Sequence, residues 1–144
     1  MEIVELIARA WGWTGIQPVK VVAENDFGNL MVRDPHGQYW RICPEDLYCK
    51  IIAADRSALD TLIEDEEFQQ DWSMPALVEE AQAKVGPLEE GRKYCLKIPG
   101  LLGGEYGGDN LGNSGDAILG TVYLFRRNSG DSLLISCSAA DVIE

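Results

Sequence analysis

Between Val19 and Ala54 the chain reads as short apolar runs separated by turn chemistry, and after Asp55 the apolar spacing changes from every second residue to every third or fourth. That switch constrains the fold most, because period two belongs to a half-buried strand and a period near 3.6 to an amphipathic helix. The strand-like runs are Val19 to Ala23, Asn29 to Arg33, Gln38 to Cys43 and Leu47 to Ala54. Asn25-Asp26-Phe27-Gly28 and Asp34-Pro35-His36-Gly37 divide the first three, and the corner Pro44-Glu45-Asp46 precedes the fourth. Asn and Gly tolerate positive φ and Pro fixes its own, so an antiparallel meander is expected. In its third strand Trp40 and Ile42 should face the core and Tyr39 and Arg41 the opposite side.

Helical spacing appears in three places. Ile3, Val4, Leu6, Ile7 and Ala10 recur on one face before Gly12 and Gly15 end the pattern. Beyond Asp55, Ser57 with Asp60 three residues on resembles a capping box, and Leu59, Leu62 and Ile63 share a face. A further helix is expected near Pro75, with Leu77, Val78, Ala81 and Val85 inward and Gly86-Pro87 as its stop. Tyr94 to Ile98 alternates like a strand, whereas residues 100 to 115 hold seven glycines in sixteen positions and are expected to be loop. In the tail, Thr121 to Phe125 and Ser132 to Cys137 read as two strands joined at Asn128-Ser129-Gly130-Asp131, although Asp116 to Arg127 also fits a helix. A length of 144 residues suits one domain with a core that needs no disulfide. The expected fold is therefore α+β, a single domain over residues 1–144, with an antiparallel sheet covered by two to three helices, those near Leu59 and Leu77 foremost.

Charge narrows the partners. With 24 acidic against 12 basic residues the net charge is −12, which repels nucleic acid and anionic membrane and attracts a basic protein surface. No apolar run approaches the roughly 18 to 20 residues that span a bilayer. Glu2 and Glu5 stand where a secretory signal would carry basic residues, so the cytoplasm is the expected compartment. Cys43, Cys49, Cys95 and Cys137 are too scattered for a zinc knuckle and are expected as buried free thiols.

No constellation of catalytic residues emerges. His36 is the single histidine and sits in a turn. The glycine-rich stretch carries Glu105, Asp109 and Asp116, which would repel phosphate, and Asp109, Asn110, Asn113 and Asp116 lack the glutamate that completes an EF-hand. Glu24, Asp26, Glu45 and Glu105 show no spacing that pairs two carboxylates for acid and base work. No catalytic residue, cofactor or metal is expected. Acid is instead concentrated between Glu45 and Glu90, where thirteen acids face three bases, a local −10 of the total −12. Asp60, Glu64, Asp65, Glu66 and Glu67 form its densest run, on the helix around Leu59, where they would steer a cationic partner.

Three segments carry a resemblance: Glu24-Asn25-Asp26-Phe27-Gly28-Asn29, then Tyr39-Trp40-Arg41-Ile42-Cys43-Pro44-Glu45, then Tyr94-Cys95-Leu96-Lys97-Ile98-Pro99 leading to Leu102-Gly103-Gly104-Glu105-Tyr106 and Asn110. From about Trp11 to Asn110 the chain resembles the C-terminal domain of type VI secretion immunity proteins, which protect bacteria from secreted DNase toxins. The resemblance implies a small cytoplasmic α+β protein, encoded beside a toxin and binding it tightly, with the W-R-I strand as scaffold. It also implies a helix and a last strand after Asn110. The expected function is neutralisation of a cognate toxin, a nuclease with a basic surface, by occluding its active or substrate groove rather than by catalysis. Asp60, Glu64, Asp65, Glu66 and Glu67, with Glu105, Tyr106 and Asp109 of the glycine-rich loop, are the expected contact residues. An alternative is a small ligand-binding or sensor domain whose pocket joins that loop to Trp40, Tyr94 and Tyr106. The sequence leaves the oligomeric state open.

Overall fold

In the computed structural model, which describes residues 2–46, 48–97, 103–114, 124–126 and 133–135, two hairpin turns of similar chemistry lay down the first sheet. The strands β1 (Lys20–Glu24), β2 (Leu30–Arg33), β3 (Tyr39–Cys43) and β4 (Tyr48–Ala53) pair antiparallel in sequence order. At the first turn Asn25 Oδ1 accepts from the N–H groups of Phe27 at 3.0 Å and Asn29 at 2.8 Å, and Gly28 takes φ 74°. At the second, Asp34 Oδ1 accepts from the N–H groups of His36 and Gln38, both at 2.9 Å, and Gly37 takes φ 81°. Each turn thus places a short polar acceptor at its entry and glycine where the backbone turns left-handed, which an L side chain resists. The meander expected from the sequence is the one observed.

Both faces of this sheet are covered. Helix α1 (Ile3–Trp11) buries Ile7 and Trp11 against Leu30, Val32 and Ile42. Its last carbonyls are met by side chains from the next turn: Thr14 Oγ1 donates to Trp11 O at 2.6 Å and Trp13 Nε1 to Ala10 O at 3.0 Å. The opposite face packs Met31, Tyr39 and Ala53 against Leu59 of α2 (Arg56–Ile63) and Phe68 and Trp72 of α3 (Glu66–Ser73). Trp40 and Ile42 therefore point to one side and Tyr39 and Arg41 to the other, as the alternation requires.

A second unit hangs from the first turn. Helix α4 (Pro75–Val85) and the antiparallel pair β5 (Lys93–Leu96) and β6 (Leu111–Ser114) enclose Ala81, Tyr94, Leu96, Leu111 and Phe27, the last supplied by the turn between β1 and β2. The N–H of Tyr94 donates to Asp26 O at 2.8 Å, and Lys93 Nζ reaches Glu24 at 2.9 Å. A third antiparallel pair, β7 (Leu124–Arg126) and β8 (Leu133–Ile135), matches the tail hairpin read from the sequence. No helix of the described residues is long and apolar enough to cross a membrane.

Several expectations are corrected. The Leu77 helix covers β5 and β6 rather than the first sheet, because α4 follows α3 through Met74 in the left-handed region, φ 47°, which redirects the chain just before Pro75. Ser57 and Asp60 form no capping box: the cap of α2 is Asp55, which accepts from the Ala58 N–H at 2.8 Å, and Asp60 pairs with Arg56. The acidic run lies on two helices, since Asp65 starts α3 by accepting from the Glu67 N–H at 2.8 Å. Part of the glycine-rich stretch is strand, because Leu111 fills the second core and Gly112 lies opposite Cys95. Directly after Asn110 comes β6 at 111–114, and the stretch in which the implied helix would follow lies largely outside the described residues. The alternative helix over Asp116 to Arg127 gives way to strand at Leu124–Arg126, its other residues lying outside the described ones. Cys43 is buried and Cys49 and Cys95 are half-buried, none of the three in a disulfide, and Cys137 lies outside the described residues. Burial pushes the Cys49 thiol up to about 11 against a weaker opposing bond from Thr14, which keeps it protonated at neutral pH.

The two turns yield distinct stability tests. Asn25 also donates from Nδ2 to Trp72 O at 2.8 Å, so Asn25→Ala removes three bonds and should cost about 2 to 3 kcal/mol in urea unfolding. Asn25→Asp keeps both acceptor contacts but sets an oxygen against Trp72 O; a smaller loss than in the alanine variant would show that the turn bonds outweigh that repulsion. Burial raises the Asp34 carboxyl, but the Trp40 indole and the N–H groups of Gln38 and His36 outweigh it and hold its pKa below the ordinary value. Its stabilisation is therefore present above the unfolded aspartate pKa and is lost as pH falls through the lower folded value. Unfolding of wild type and Asp34→Asn from pH 7 to pH 2 should show the gap between them closing at the acid end.

Candidate functional site

The centre of the molecule's polar chemistry is Arg41, whose guanidinium leaves β3 on the side of α3. It is 3% exposed, a placement that an arginine reaches only with partners for its fork. Nε donates to Asn29 Oδ1 at 3.0 Å, Nη1 bonds and ion-pairs with Asp71 of α3, and the Trp72 ring lies 5.1 Å away in cation–π range. Asn29 follows the first turn directly and Asp71 is two-thirds exposed, so the cation joins the sheet interior to the outer side of α3.

Two clefts flank α3. The first, about 410 Å³, lies between Arg41, Tyr48 and Asp46 on one side and Asp71, Leu77 and Glu80 on the other, with Tyr106 at its edge. Burial is the main cause that raises the Tyr48 pKa, so its hydroxyl stays neutral at physiological pH. The glycine-rich loop is clamped here. Tyr106 bonds to Asp46, Gly108 N–H donates to Glu80 at 2.6 Å, and Asp109 meets Lys84 at 3.4 Å. A Cβ at Gly107 would come within 2.8 Å of the Glu80 carboxylate, so this stretch of loop lies tight on α4. The second cleft, about 310 Å³, lies between β1 and the α2–α3 pair and is lined chiefly by apolar side chains.

The residues expected to contact a partner fall into two groups. Asp60, Glu64, Asp65, Glu66 and Glu67 are all exposed along α2 and the start of α3. Some of them have local work: Asp60 holds Arg56 at 2.8 Å, Asp65 caps α3, and Glu66 and Glu67 sit in its first turn, where negative charge suits the helix dipole. Glu105, Tyr106 and Asp109 are exposed on the clamped loop, and of the eight expected residues Tyr106 alone lines the first cleft. The ligand pocket joining Trp40, Tyr94 and Tyr106 is not formed. Trp40 packs on the α1 side with its indole on Asp34 at 2.9 Å, and Tyr94 is buried in the second core, its hydroxyl donating to Gly86 O at 2.7 Å. Glu24, Asp26 and Glu105 line neither cleft. Sequence reasoning missed Arg41 and Asp71, which stand thirty positions apart; an arginine within an alternating apolar strand was the available signal.

The fork of Arg41 makes a specific demand. Arg41→Lys should cost about 2 to 3 kcal/mol in urea unfolding, because one ammonium cannot serve Asn29, Asp71 and the Trp72 face together. A lysine variant as stable as wild type would show that the charge alone matters there.

Comparison with known proteins finds a likeness in one segment. No curated protein and no solved structure matches the chain. Residues 53–114, which run from the end of β4 through α2, α3, α4, β5 and the clamped loop to the end of β6, match a family model. The N-x-F-G-N and W-R-I motifs lie before that segment, so the match starts later than the resemblance read from the sequence. The matching model is that of T6SS immunity protein Tdi1, C-terminal, so over residues 53–114 the chain is similar to that family of type VI secretion immunity proteins.

Proposed function

We propose that the protein neutralises a cognate secreted toxin by binding it, that the toxin is a nuclease, and that the acidic face of α2 and α3 meets the toxin's basic substrate groove. The observation that carries this reading is the position of the acids: Asp60, Glu64, Asp65, Glu66 and Glu67 are all exposed and all lie within the segment that matches the immunity family. A nuclease holds the DNA backbone through lysines and arginines, and a surface of carboxylates competes for those same groups. Long-range attraction speeds encounter, and close pairing of opposite charges discriminates against other partners. The chemistry is occlusion, and the cytoplasm, where a DNase reaches its substrate, is the compartment in which it acts.

Charge reversal at Glu64, Glu66 and Glu67 spares the Arg56 pair and the α3 cap. Lysine at 66 and 67 opposes the helix dipole at roughly 0.3 to 1 kcal/mol each, so glutamine variants serve as matched controls. Against the catalytically disabled toxin encoded beside the immunity gene, the triple lysine variant should associate at least about tenfold more slowly. Wild-type association should also slow as salt rises, since exposed charges are screened over about 8 to 10 Å near physiological ionic strength. Unchanged association, salt dependence and cell protection would assign these acids to solvation and move the interface elsewhere, first to Glu105, Tyr106 and Asp109.

A further inference from the structure

Acids alone steer an encounter but do not hold a complex, and the cleft between β1 and the α2–α3 pair supplies what they lack. Its walls are Val22, Met31, Leu59, Ile63, Phe68 and Trp72. Val22 and Ile63 are 39% and 41% exposed, two of the few large apolar side chains left open among the described residues, and they share this groove. Isolated exposed apolar residues need no explanation, but a shared concave apolar surface does. The groove is also preformed. Phe68 stacks on Trp72 with ring centroids 6.2 Å apart and planes 16° from parallel, and Gln69 Nε2 donates to Ile63 O at 2.8 Å, fixing the corner between α2 and α3. A preordered pocket avoids part of the entropy cost of binding.

Charge decides what occupies it. Glu64 follows Ile63 in the chain and Glu66 and Glu67 precede Phe68; all three are exposed on the two helices that wall the groove, although none lines it, and Arg56, the one charged residue on its wall, is paired with Asp60 at 2.8 Å. A second copy of this chain, itself at −12, would bring like charges together. Addition of a partner strand to β1 is opposed by the bulge between Val21 and Ala23 and by Lys20, devices that discourage edge pairing. We infer that this groove is the anchor of the toxin contact: it receives an apolar side chain from a basic segment of the toxin, whose flanking lysines or arginines reach the exposed acids of α2 and α3. Such an apolar centre within a charged rim is the usual division of an interface into a part that holds and a part that guides.

The inference rests on the toxin-binding reading, and kinetics separate the two. Val22→Asn and Ile63→Asn change side chains that are already partly open to solvent, and urea unfolding is the check that each variant folds as wild type does. With the catalytically disabled toxin encoded beside the immunity gene as probe, each should dissociate at least about tenfold faster, with association rate and salt dependence unchanged. That signature is the reverse of the one expected for the Glu64, Glu66 and Glu67 variants. Tight wild-type binding with unaltered dissociation in both groove variants overturns the anchor while leaving the immunity role intact. Slower association alone overturns it as well, and a wild-type protein that neither binds the toxin nor protects cells removes the functional reading and the anchor with it.

Discussion

The carboxamide of Asn25 is the contact on which the rest of the architecture depends. Its oxygen closes the turn between β1 and β2 by accepting two backbone N–H groups, and its nitrogen donates to the last turn of α3 at Trp72 O. The backbone of the same turn supplies Asp26 O to β5 and the ring of Phe27 to the second core, tilted 45° against Tyr94 with centroids 5.7 Å apart. One reverse turn therefore sets strand register, docks a helix and seats a second sheet. A buried amide able to accept twice and donate once meets those demands, and an aspartate would leave the Trp72 carbonyl facing another oxygen.

Arg41 extends the same connection outward. Its partner Asn29 closes the turn and its partner Asp71 stands on the outer side of α3, so position along the sheet is passed to the helix that separates the two clefts. Charged groups buried in this way contribute little net stability compared with a well-packed apolar side chain, but they penalise alternative placements strongly. Here the effect is to fix where α3 lies, and with it the acids of its first turn and the aromatic wall formed by Phe68 and Trp72.

What could be read from the sequence divides along physical lines. Strands β1 to β4 were legible because their turns are local: Asn25, Gly28, Asp34 and Gly37 act within four or five residues. The side of β3 that each residue faces was legible for the same reason. Strand β6 was hidden because Gly112 carries no propensity signal, and its pairing with Cys95 is a choice made by the second core. The helix break at Glu64 and Asp65 contains neither glycine nor proline, but an aspartate followed by Glu66, Glu67 and Phe68 is itself the signature of a new helix start, and an unbroken acidic run obscured it. Amphipathic spacing identified the buried face of α4 without its partner, because periodicity carries no information about which sheet lies opposite. For the expected contact residues, exposure followed from charge, whereas the apolar groove is assembled from β1, β2, α2 and α3 and has no linear pattern.

The segment shared with the immunity family starts at Ala53, the last residue of β4, and so takes in three helices and one small sheet but almost none of the surface against which α2 and α3 pack. Met31 and Tyr39 come from earlier in the chain, as do Phe27 for the second core and Asn25 for the end of α3. Family likeness and self-sufficiency therefore have different borders in this molecule. A stretch of chain can be inherited as a recognisable module and still be unable to close its own interior, so a relative with a different N-terminal half would need another way to shield Leu59, Phe68 and Trp72 from water.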